Sequence, residues 1–218
     1  MNVGIVGGTG PLGRGLGLRL ALSGASVTIG SRDAERASQV VAALHDRWPR
    51  DLAIDGAANE EAAARDLVVV ATPWDALVPT VRPLAGRLDG KVVVSVANAL
   101  VKQGREMHAL VPPRGSMAAA LQAELPGAFV AAAGHHLPAS DLEDLDRTLH
   151  ADVLVCSDHA AATVSTLALI ATIEGLRPLE AGSLAQAAAV EAFTAVLVTI
   201  NIRYKAHSSL GLTGLEHV

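Results

Sequence analysis

A glycine-rich stretch, residues 7–13, follows the first apolar segment and precedes a segment with helical character. It fits the spacing Gly-x-Gly-x-x-Gly at Gly8, Gly10 and Gly13, and also Gly-x-x-Gly-x-x-Gly when counted from Gly7. Such glycines allow a tight turn and a close backbone approach to a pyrophosphate, and a following helix N-terminus adds free N–H groups. The sequence therefore predicts a dinucleotide-binding phosphate loop between a strand and a helix. This predicted loop comprises Gly8, Thr9, Gly10, Pro11, Leu12 and Gly13.

Ser31 and Arg32 stand at the end of the second predicted strand, and Arg36 follows one helical turn later. An NAD site usually has Asp or Glu at this point to bind the ribose 2′-hydroxyl. Asp33 is close by, but it is better explained as the N-cap of the next helix. A hydroxyl and two guanidinium groups suit a 2′-phosphate, because arginine forms charge-assisted and often bidentate hydrogen bonds to phosphate. These residues predict that the nucleotide is NADP.

Three histidines, His135, His136 and His159, and the single cysteine, Cys156, are candidate functional residues in the second half of the chain. Adjacent residues of an extended segment point to opposite sides, so His135 and His136 do not form a chelating pair. His159 and Cys156 lack a third ligand at a suitable spacing, and we expect no metal site. One of the paired histidines could face a pocket, because the segment after them ends a predicted strand at the ligand-binding edge. A core or solvent-exposed histidine without a role explains either one equally well.

Acid–base catalysis by a tyrosine has little support in this sequence. Short-chain dehydrogenases need a Tyr-x-x-x-Lys pair, but the only tyrosine, Tyr204, is followed four residues later by Ser208. A protein acid is unnecessary if the hydride passes to a second cofactor rather than to a ketone. The sequence therefore argues against the short-chain dehydrogenase class.

The candidate functional residues must be positioned by the secondary structure of the chain. Strand-like and helix-like segments alternate along it. Strands are predicted at 3–6, 26–29, 52–54, 67–71, 92–95, 129–133, 152–156 and 176–179, and helices at 12–22, 34–48, 59–65, 74–84, 160–173 and 184–205. Continuous Val-rich runs are typical of parallel strands buried on both faces. We predict an α/β fold of the Rossmann type, a doubly wound and mostly parallel sheet with a small C-terminal helical part. Residues 1–180 would form the NADP-binding domain and residues 181–218 the helical segment, with a loop over 102–115.

Composition narrows the class of protein further. The chain has 218 residues, 50% of them hydrophobic, and a formal net charge of -5, which argues against non-specific nucleic-acid binding. A single cysteine excludes an intrachain disulfide and fits a reducing cytoplasm. The most apolar stretch, residues 181–202, is interrupted by Glu191, so we expect a buried helix at a homodimer contact and no membrane span.

Several motifs together resemble those of the F420-dependent NADP reductases (NADPH:coenzyme F420 oxidoreductases). Their order and spacing match over nearly the whole chain, and the Gly-Leu-Arg-Pro-Leu stretch is more specific than the glycine loop. The matching segments are residues 7–13, 30–32, 73–74, 135–139 and 175–182. The resemblance implies hydride transfer between NADP(H) and the deazaflavin coenzyme F420.

The resemblance also implies roles for individual residues. Residues 9–12, with Ser31, Arg32 and Arg36, would hold NADP. The strand ends at Thr72 and Pro73 and at Ala97 and Asn98 would flank the nicotinamide, as the resemblance implies. The residues implied on the F420 side are His135, Leu137 and Ala139 around the ring and Leu210 closing the pocket.

Face-to-face hydride transfer between two flat rings depends on positioning and on the exclusion of water. His135 could hydrogen-bond the deazaflavin or balance the charge of its reduced form. Arg203 or Lys205 could bind the anionic F420 tail. Two alternatives stay open, because a fold does not fix a function: an NADPH-dependent reductase of another small substrate, and a non-catalytic NADP sensor.

Overall fold

Ten β-strands and nine α-helices are formed within residues 1–215, the part of the chain that this computed structural model describes. The strands are β1 (Asn2–Val6), β2 (Ser26–Ser31), β3 (Ile54–Ala58), β4 (Leu67–Val70), β5 (Val92–Ser95), β6 (Leu100–Gln103), β7 (Glu106–Ala109), β8 (Phe129–Ala132), β9 (Ala151–Ser157) and β10 (Leu176–Glu180). The helices are α1 (Pro11–Leu22), α2 (Ala34–Arg47), α3 (Asn59–Ala62), α4 (Leu77–Val81), α5 (Ala85–Leu88), α6 (Met117–Glu124), α7 (Ala139–Glu143), α8 (Ala160–Ala171) and α9 (Ala187–Tyr204).

Eight strands form one sheet in the order β10-β9-β8-β5-β4-β1-β2-β3. Strands β3, β2, β1, β4, β5 and β8 run parallel, and β9 pairs antiparallel with β8. The chain winds outward from β1 in one direction and from β4 in the other, so the topological switch point lies between β1 and β4. This arrangement confirms the predicted Rossmann-type, doubly wound and mostly parallel fold.

Because β9 is antiparallel to β8, the first residues of β9 lie at the edge of the sheet where the parallel strands end. Ala132, the last residue of β8, pairs with Cys156 near the end of β9. Asp152 therefore lies beyond the carboxyl end of β8, on the same edge as the carboxyl ends of the parallel strands. Strand β10 runs parallel to β9, with Arg177 opposite Asp152, so its first residues reach that edge as well.

The valine-rich strands are buried because helices cover both faces of the sheet. In β4, Leu67 and Val69 belong to the core beneath α1 and α2, whereas Val68 and Val70 belong to the core on the opposite side. Successive side chains of a strand point to opposite faces, so a strand covered on both sides needs an uninterrupted apolar run. This explains why no polar alternation marks these strands in the sequence.

A β-hairpin, β6–β7, replaces the first part of the loop predicted over residues 102–115. Strands β6 and β7 pair antiparallel, with Gln103 opposite Glu106, and the turn between them contains Gly104 at a φ of 61°. The residues of this hairpin are exposed or half-buried, so its strands lack the clear apolar alternation that predicts a strand. The prediction of a loop was therefore wrong for residues 102–109, where the hairpin gains its support from packing against α9, whereas residues 110–115 form no helix or strand.

The helix predicted over residues 74–84 is broken into short pieces. A 3₁₀ turn at Trp74–Ala76 precedes α4, and a second one at Arg82–Leu84 precedes α5. Pro79 and Pro83 lack a backbone N–H group, which removes hydrogen bonds from a continuous helix. The third strand is also displaced, because residues 52–53 precede it and β3 runs from Ile54 to Ala58.

The C-terminal helix has one buried and one exposed side. The stretch Leu184–Tyr204 is long and apolar enough to cross a membrane by length and composition, with a third of its most apolar window buried inside the protein. Ala187 and Val190 pack into the core that contains Val68 and Val70, whereas Phe193 and Val196 are exposed. Helix α9 therefore packs into the same core as the sheet. The domain boundary that the sequence analysis places after residue 180 stays a prediction.

Candidate functional site

The predicted phosphate loop lies at the switch point, between the end of β1 and the start of α1. Gly7 has a φ of 68°, a conformation that favours glycine. A Cβ atom on Gly13 would lie 2.5 Å from the Cα atom of Gly8, so helix α1 packs this closely against the loop only because residue 13 is a glycine. A Cβ atom on Gly10 would meet nothing within 4 Å, which leaves the outer side of the loop open.

Helix α1 begins directly at the loop and presents its N-terminus to this open side. Gly10 is the N-cap and Pro11 occupies the first turn, where a missing N–H group costs nothing. The following N–H groups of Leu12 and Gly13 belong to the first turn, which has no intrahelical acceptors for them. Together with the positive end of the helix dipole, these groups suit an anionic phosphate. Thr9 completes the predicted set between the glycines.

An asparagine that the sequence did not single out braces the loop from below. Asn59, the first residue of α3, accepts a hydrogen bond from Gly7 N through its side-chain oxygen at 3.0 Å. The side chain is almost completely buried. Its position after β3 marks it only as the start of a helix, so no local signal distinguishes this brace from an ordinary helix terminus.

The adenosine end of the site has the cationic groups that the sequence predicts. Ser31 is the last residue of β2 and is buried, and Arg32 and Arg36 are exposed beside it. The carboxylate of Asp33 accepts hydrogen bonds from Glu35 N at 3.0 Å and Arg36 N at 3.2 Å, which confirms its predicted role as the N-cap of α2. Within residues 1–215, neither guanidinium group makes a hydrogen bond or an ion pair. Both are therefore available to an anionic ligand.

The predicted nicotinamide side lies at the carboxyl ends of β4 and β5. Thr72 is close to the phosphate loop, because a Cβ atom on Gly7 would lie 2.4 Å from its methyl group. Pro73 follows it and Ala97 is buried after the neighbouring strand. The side-chain amide of Asn98 donates a hydrogen bond to the carbonyl oxygen of His135 at 2.8 Å. The structure thus brings the two predicted halves of the site into contact through Asn98.

His135 is buried and both of its ring nitrogens lack a hydrogen-bond partner within the described residues. Burial, with the neighbouring His136 as a minor cause, lowers the pKa of His135 to about 3, so the ring is neutral at pH 7. Leu137 is also buried, and Ala139 begins α7 in a half-buried position. The three residues predicted around the F420 ring, His135, Leu137 and Ala139, therefore lie on one short segment that follows β8.

Unpaired polar atoms concentrate along this edge. Besides the two nitrogens of His135, the buried atoms without a partner among residues 1–215 include Thr72 Oγ1, Ser95 Oγ and Asn98 Oδ1. Buried polar groups of folded proteins nearly always have a hydrogen-bond partner, so a cluster of exceptions needs an explanation. Donors and acceptors spaced along one sheet edge fit a ligand with carbonyl and amide groups, such as a nicotinamide or a deazaflavin ring. Sequence reasoning did not single out Ser95.

His136, the other member of the histidine pair, holds the start of β9. Its Nε2 atom lies 2.7 Å from the carbonyl oxygen of Asp152, and because a carbonyl only accepts, that nitrogen carries the proton. Burial lowers the pKa of His136, opposed by this contact with Asp152. The two histidines thus have different environments, and the one without partners is His135.

Leu210 lies at the same edge, on the segment that follows α9. Its carbonyl oxygen accepts a hydrogen bond from Asp152 N at 2.8 Å. This segment, residues 206–215, is named the C-terminal strap below. Arg203 forms an ion pair with Glu106 of the hairpin at 3.1 Å, which gives this arginine a structural partner. Lys205 ends α9 in a left-handed conformation with a φ of 51°.

Helices α1 and α7 link the two halves of the site. Arg14 donates to the carboxylate of Glu143 at 2.7 Å, and a Cβ atom on Gly15 would lie 2.5 Å from Leu142 Cβ. The phosphate loop at the start of α1 and the His135 segment before α7 are therefore held together by close packing. Within residues 1–215, no group of three His, Cys, Asp or Glu side chains is placed to hold a metal ion.

A phosphate loop at the switch point of a doubly wound sheet defines the class of Rossmann-type dinucleotide-binding proteins, and this chain is one of them. Comparison with known proteins gives the family. A family model described as "NADP oxidoreductase coenzyme F420-dependent" matches residues 2–99.

The chain is 33% identical to the F420-dependent NADP reductase of Methanocaldococcus jannaschii, over 99% of this chain and 100% of that one. It is 34% identical to the enzyme of the same name from Methanothermobacter thermautotrophicus, over 96% of this chain and 93% of that one. A crystal structure described as a putative F420-dependent NADP reductase from Arthrobacter sp. superposes with a TM-score of 0.81 at 24% identity, over 97% and 98% of the two chains. The chain belongs to the F420-dependent NADP oxidoreductase family, which confirms the resemblance found in the sequence.

Proposed function

We propose that this protein transfers a hydride between NADP(H) and the deazaflavin coenzyme F420. The observation that carries the proposal is the row of unpaired buried polar atoms between the phosphate loop and His135, where two ligands would meet. The full-length similarity to reductases named for these two cofactors supports the same reaction. When both are bound, NADP(H) and F420 would supply the hydride donor and the hydride acceptor, and one proton would be taken up or released with the hydride.

The protein's contribution to this reaction is binding and orientation. The first turn of α1 would hold the pyrophosphate, and Arg32 and Arg36 would hold the 2′-phosphate of NADP. Thr72 and Asn98 have unpaired oxygens where the nicotinamide end would lie. Because these contacts fix the plane of one ring before the other arrives, they supply the positioning that a direct hydride transfer requires.

Orientation of the second ring falls to the segment that contains His135, Leu137 and Ala139. A neutral His135 can donate one hydrogen bond and accept another, but it cannot balance a negative charge. Of the two roles considered from the sequence, burial therefore favours hydrogen bonding to the deazaflavin. The apolar side chain of Leu137, together with Leu210 of the C-terminal strap, would exclude water from the transfer path.

The test is a two-cofactor assay with purified protein. NADPH is mixed with oxidised F420, and the absorbance of F420 and the oxidation of NADPH are followed together. We expect the two signals to fall in a one-to-one ratio, with NADPH far more effective than NADH. Tight NADPH binding without F420 reduction would contradict the proposal.

The same assay distinguishes the two alternatives. An NADPH-dependent reductase of another small substrate would oxidise NADPH when offered imines or metal chelates, but not with F420. A non-catalytic NADP sensor would bind NADPH and oxidise it with none of these acceptors.

We also propose that the protein is a cytoplasmic homodimer. The outer side of α9 supports a subunit contact, because Phe193, Val196, Ile200 and Tyr204 are all exposed on it. Light scattering is expected to give twice the mass of one chain, and Val196→Glu is expected to halve it. A wild-type mass of one chain would contradict the dimer. A reducing compartment suits the lone Cys156, whose buried thiol needs no partner.

A further inference from the structure

Asp152 makes hydrogen bonds to three parts of the structure beside the F420 side of the site: His136, Arg177 of β10 and the C-terminal strap. Its N–H group donates to Leu210 O at 2.8 Å, and its carbonyl oxygen accepts from His136 Nε2 at 2.7 Å. Its carboxylate accepts from Arg177 Nε at 2.7 Å, Arg177 Nη2 at 2.8 Å and Leu212 N at 2.5 Å. One residue thus connects His136, strand β10 and the C-terminal strap.

Arg177 extends this connection along the strap. Besides its two bonds to Asp152, it donates from Nη2 to Leu212 O at 2.8 Å and from Nη1 to Leu215 O at 3.3 Å. A guanidinium group is planar and rigid, so a residue that binds a carboxylate and two carbonyl oxygens at once fixes their relative positions. The hydrogen bond from Arg177 is the main cause of the lowered pKa of Asp152, so this carboxyl group is ionised at neutral pH.

Polar contacts carry most of the attachment of the strap. Near its start, Asn201 Oδ1 accepts from both the backbone and the hydroxyl of Ser208 at 2.7 Å, and Ser209 Oγ donates to His150 O at 2.7 Å. The side chains of residues 206–215 are exposed or half-buried, so apolar burial contributes little. Segments with few buried apolar contacts open easily, and the loss of one strong polar anchor then has a large effect on their position.

We propose that Asp152 and Arg177 are positioning residues that hold the C-terminal strap, with Leu210, in register with the histidine pair on the F420 side of the site. This inference rests on the proposed function for the identity of the ligand. The pair lies at the edge of the sheet beside β8, away from the phosphate loop and from the arginines near β2. Its loss is therefore expected to affect F420 and to spare NADPH.

The experiment compares Arg177→Met with Arg82→Met. Both variants lose a bidentate ion pair, since Arg82 contacts Glu124 at 2.6 and 3.2 Å, but Arg82 is exposed between α4 and α5, away from the strap. We expect the KM for F420 to rise about tenfold in Arg177→Met, the size expected for lost hydrogen bonds to a charged group, with the KM for NADPH unchanged within about twofold. Arg82→Met should leave both constants unchanged.

A second measurement needs no F420. Hydrogen exchange of the ligand-free protein is expected to be about tenfold faster across residues 206–215 in Arg177→Met, and unchanged there in Arg82→Met. Arg177→Lys keeps the positive charge but loses the planar, bidentate guanidinium group. Its residues 206–215 should therefore be protected from exchange better than those of Arg177→Met but less than those of the wild type. If Arg177→Met fails to fold, Asp152→Asn, which keeps one acceptor for Leu212, takes its place.

The possible outcomes separate this inference from the proposed function. A wild-type protein that does not reduce F420 would refute the proposed function. Turnover by the wild type, together with an unchanged KM for F420 in Arg177→Met, would refute the positioning role alone. Equal increases in the KM for F420 and for NADPH would also refute it, because they would indicate a general loss of structure.

Discussion

The clearest prediction concerns the choice between NADP and NAD. The perturbation is Arg32→Ala, alone and combined with Arg36→Ala. In the structure both side chains are exposed and without partners among residues 1–215, and Asp33 is engaged as the N-cap of α2. Removing either arginine thus breaks no internal contact, and any loss of affinity reports on the ligand alone.

The magnitude follows from the contacts that would be lost. Hydrogen bonds to charged groups contribute about 1.5–3 kcal/mol, and exposed sites fall at the lower end of that range because water and salt screen them. About 1.5 kcal/mol for Arg32 corresponds to a roughly tenfold weaker NADPH affinity, and the double variant should lose on the order of a hundredfold. NADH lacks the 2′-phosphate, so its affinity should change by less than about twofold.

The assay is a titration of the ligand-free protein with NADPH and NADH, which does not depend on the identity of the second substrate. Arg87→Ala, an exposed arginine of α5, controls for the loss of one positive charge at a distance. Raising the salt concentration should narrow the difference between wild type and Arg32→Ala, since the lost interaction is between charges. Equal losses for NADPH and NADH, or no loss for NADPH, would refute the assignment of the 2′-phosphate site.

Three further predictions test other parts of the site and core. Gly13→Ala should weaken NADPH binding at least about tenfold in the same titration, because its Cβ atom would press on Gly8 at 2.5 Å. Glu191 is buried and burial raises its pKa from 4.5 to about 7, so its contribution to stability is full below about pH 4.5 and is lost as pH rises through 7. Urea unfolding should show the wild type losing about 3 kcal/mol relative to Glu191→Gln between pH 5 and 8; parallel curves would contradict this. Because the pKa of His135 is about 3, the profile of kcat/KM for F420 between pH 5.5 and 7.5 should have the same inflections in wild type and His135→Gln.

Local signals explain how much of the structure could be predicted from the sequence. The Val-rich strands, the glycine loop and the cap at Asp33 all depend on neighbouring residues, and the structure contains each of them. The hairpin β6–β7 was missed because its strands are largely exposed and half of their residues are polar, and Gly104 alone marks its turn. Its stability comes from α9, about ninety residues later in the chain, and no local pattern contains that information.

The F420 side of the site likewise depends on a contact between residues that are far apart in the sequence. His135 and Leu137 could be proposed from the resemblance, but the contact between Asp152 and Arg177 could not, since the two residues are 25 positions apart. They meet because β10 pairs in parallel with β9, and they lie at the ligand-binding edge of the sheet because β9 runs opposite to β8. A reversal of strand direction leaves no mark in the apolar pattern, because a strand buried on both faces looks the same in either direction.

The distribution of unpaired polar atoms gives the strongest physical reason to regard this edge as a binding site rather than an imperfect core. Within residues 1–215, buried side-chain atoms without partners also occur at Trp48 Nε1 and Thr166 Oγ1, yet the others all lie at the carboxyl ends of β4, β5 and β8. Each such group destabilises the folded protein by about 1–3 kcal/mol. Random packing defects would scatter, whereas unpaired groups concentrated beside the phosphate loop are placed where bound ligands would supply the missing partners. The same groups that weaken the ligand-free fold would then orient the two rings.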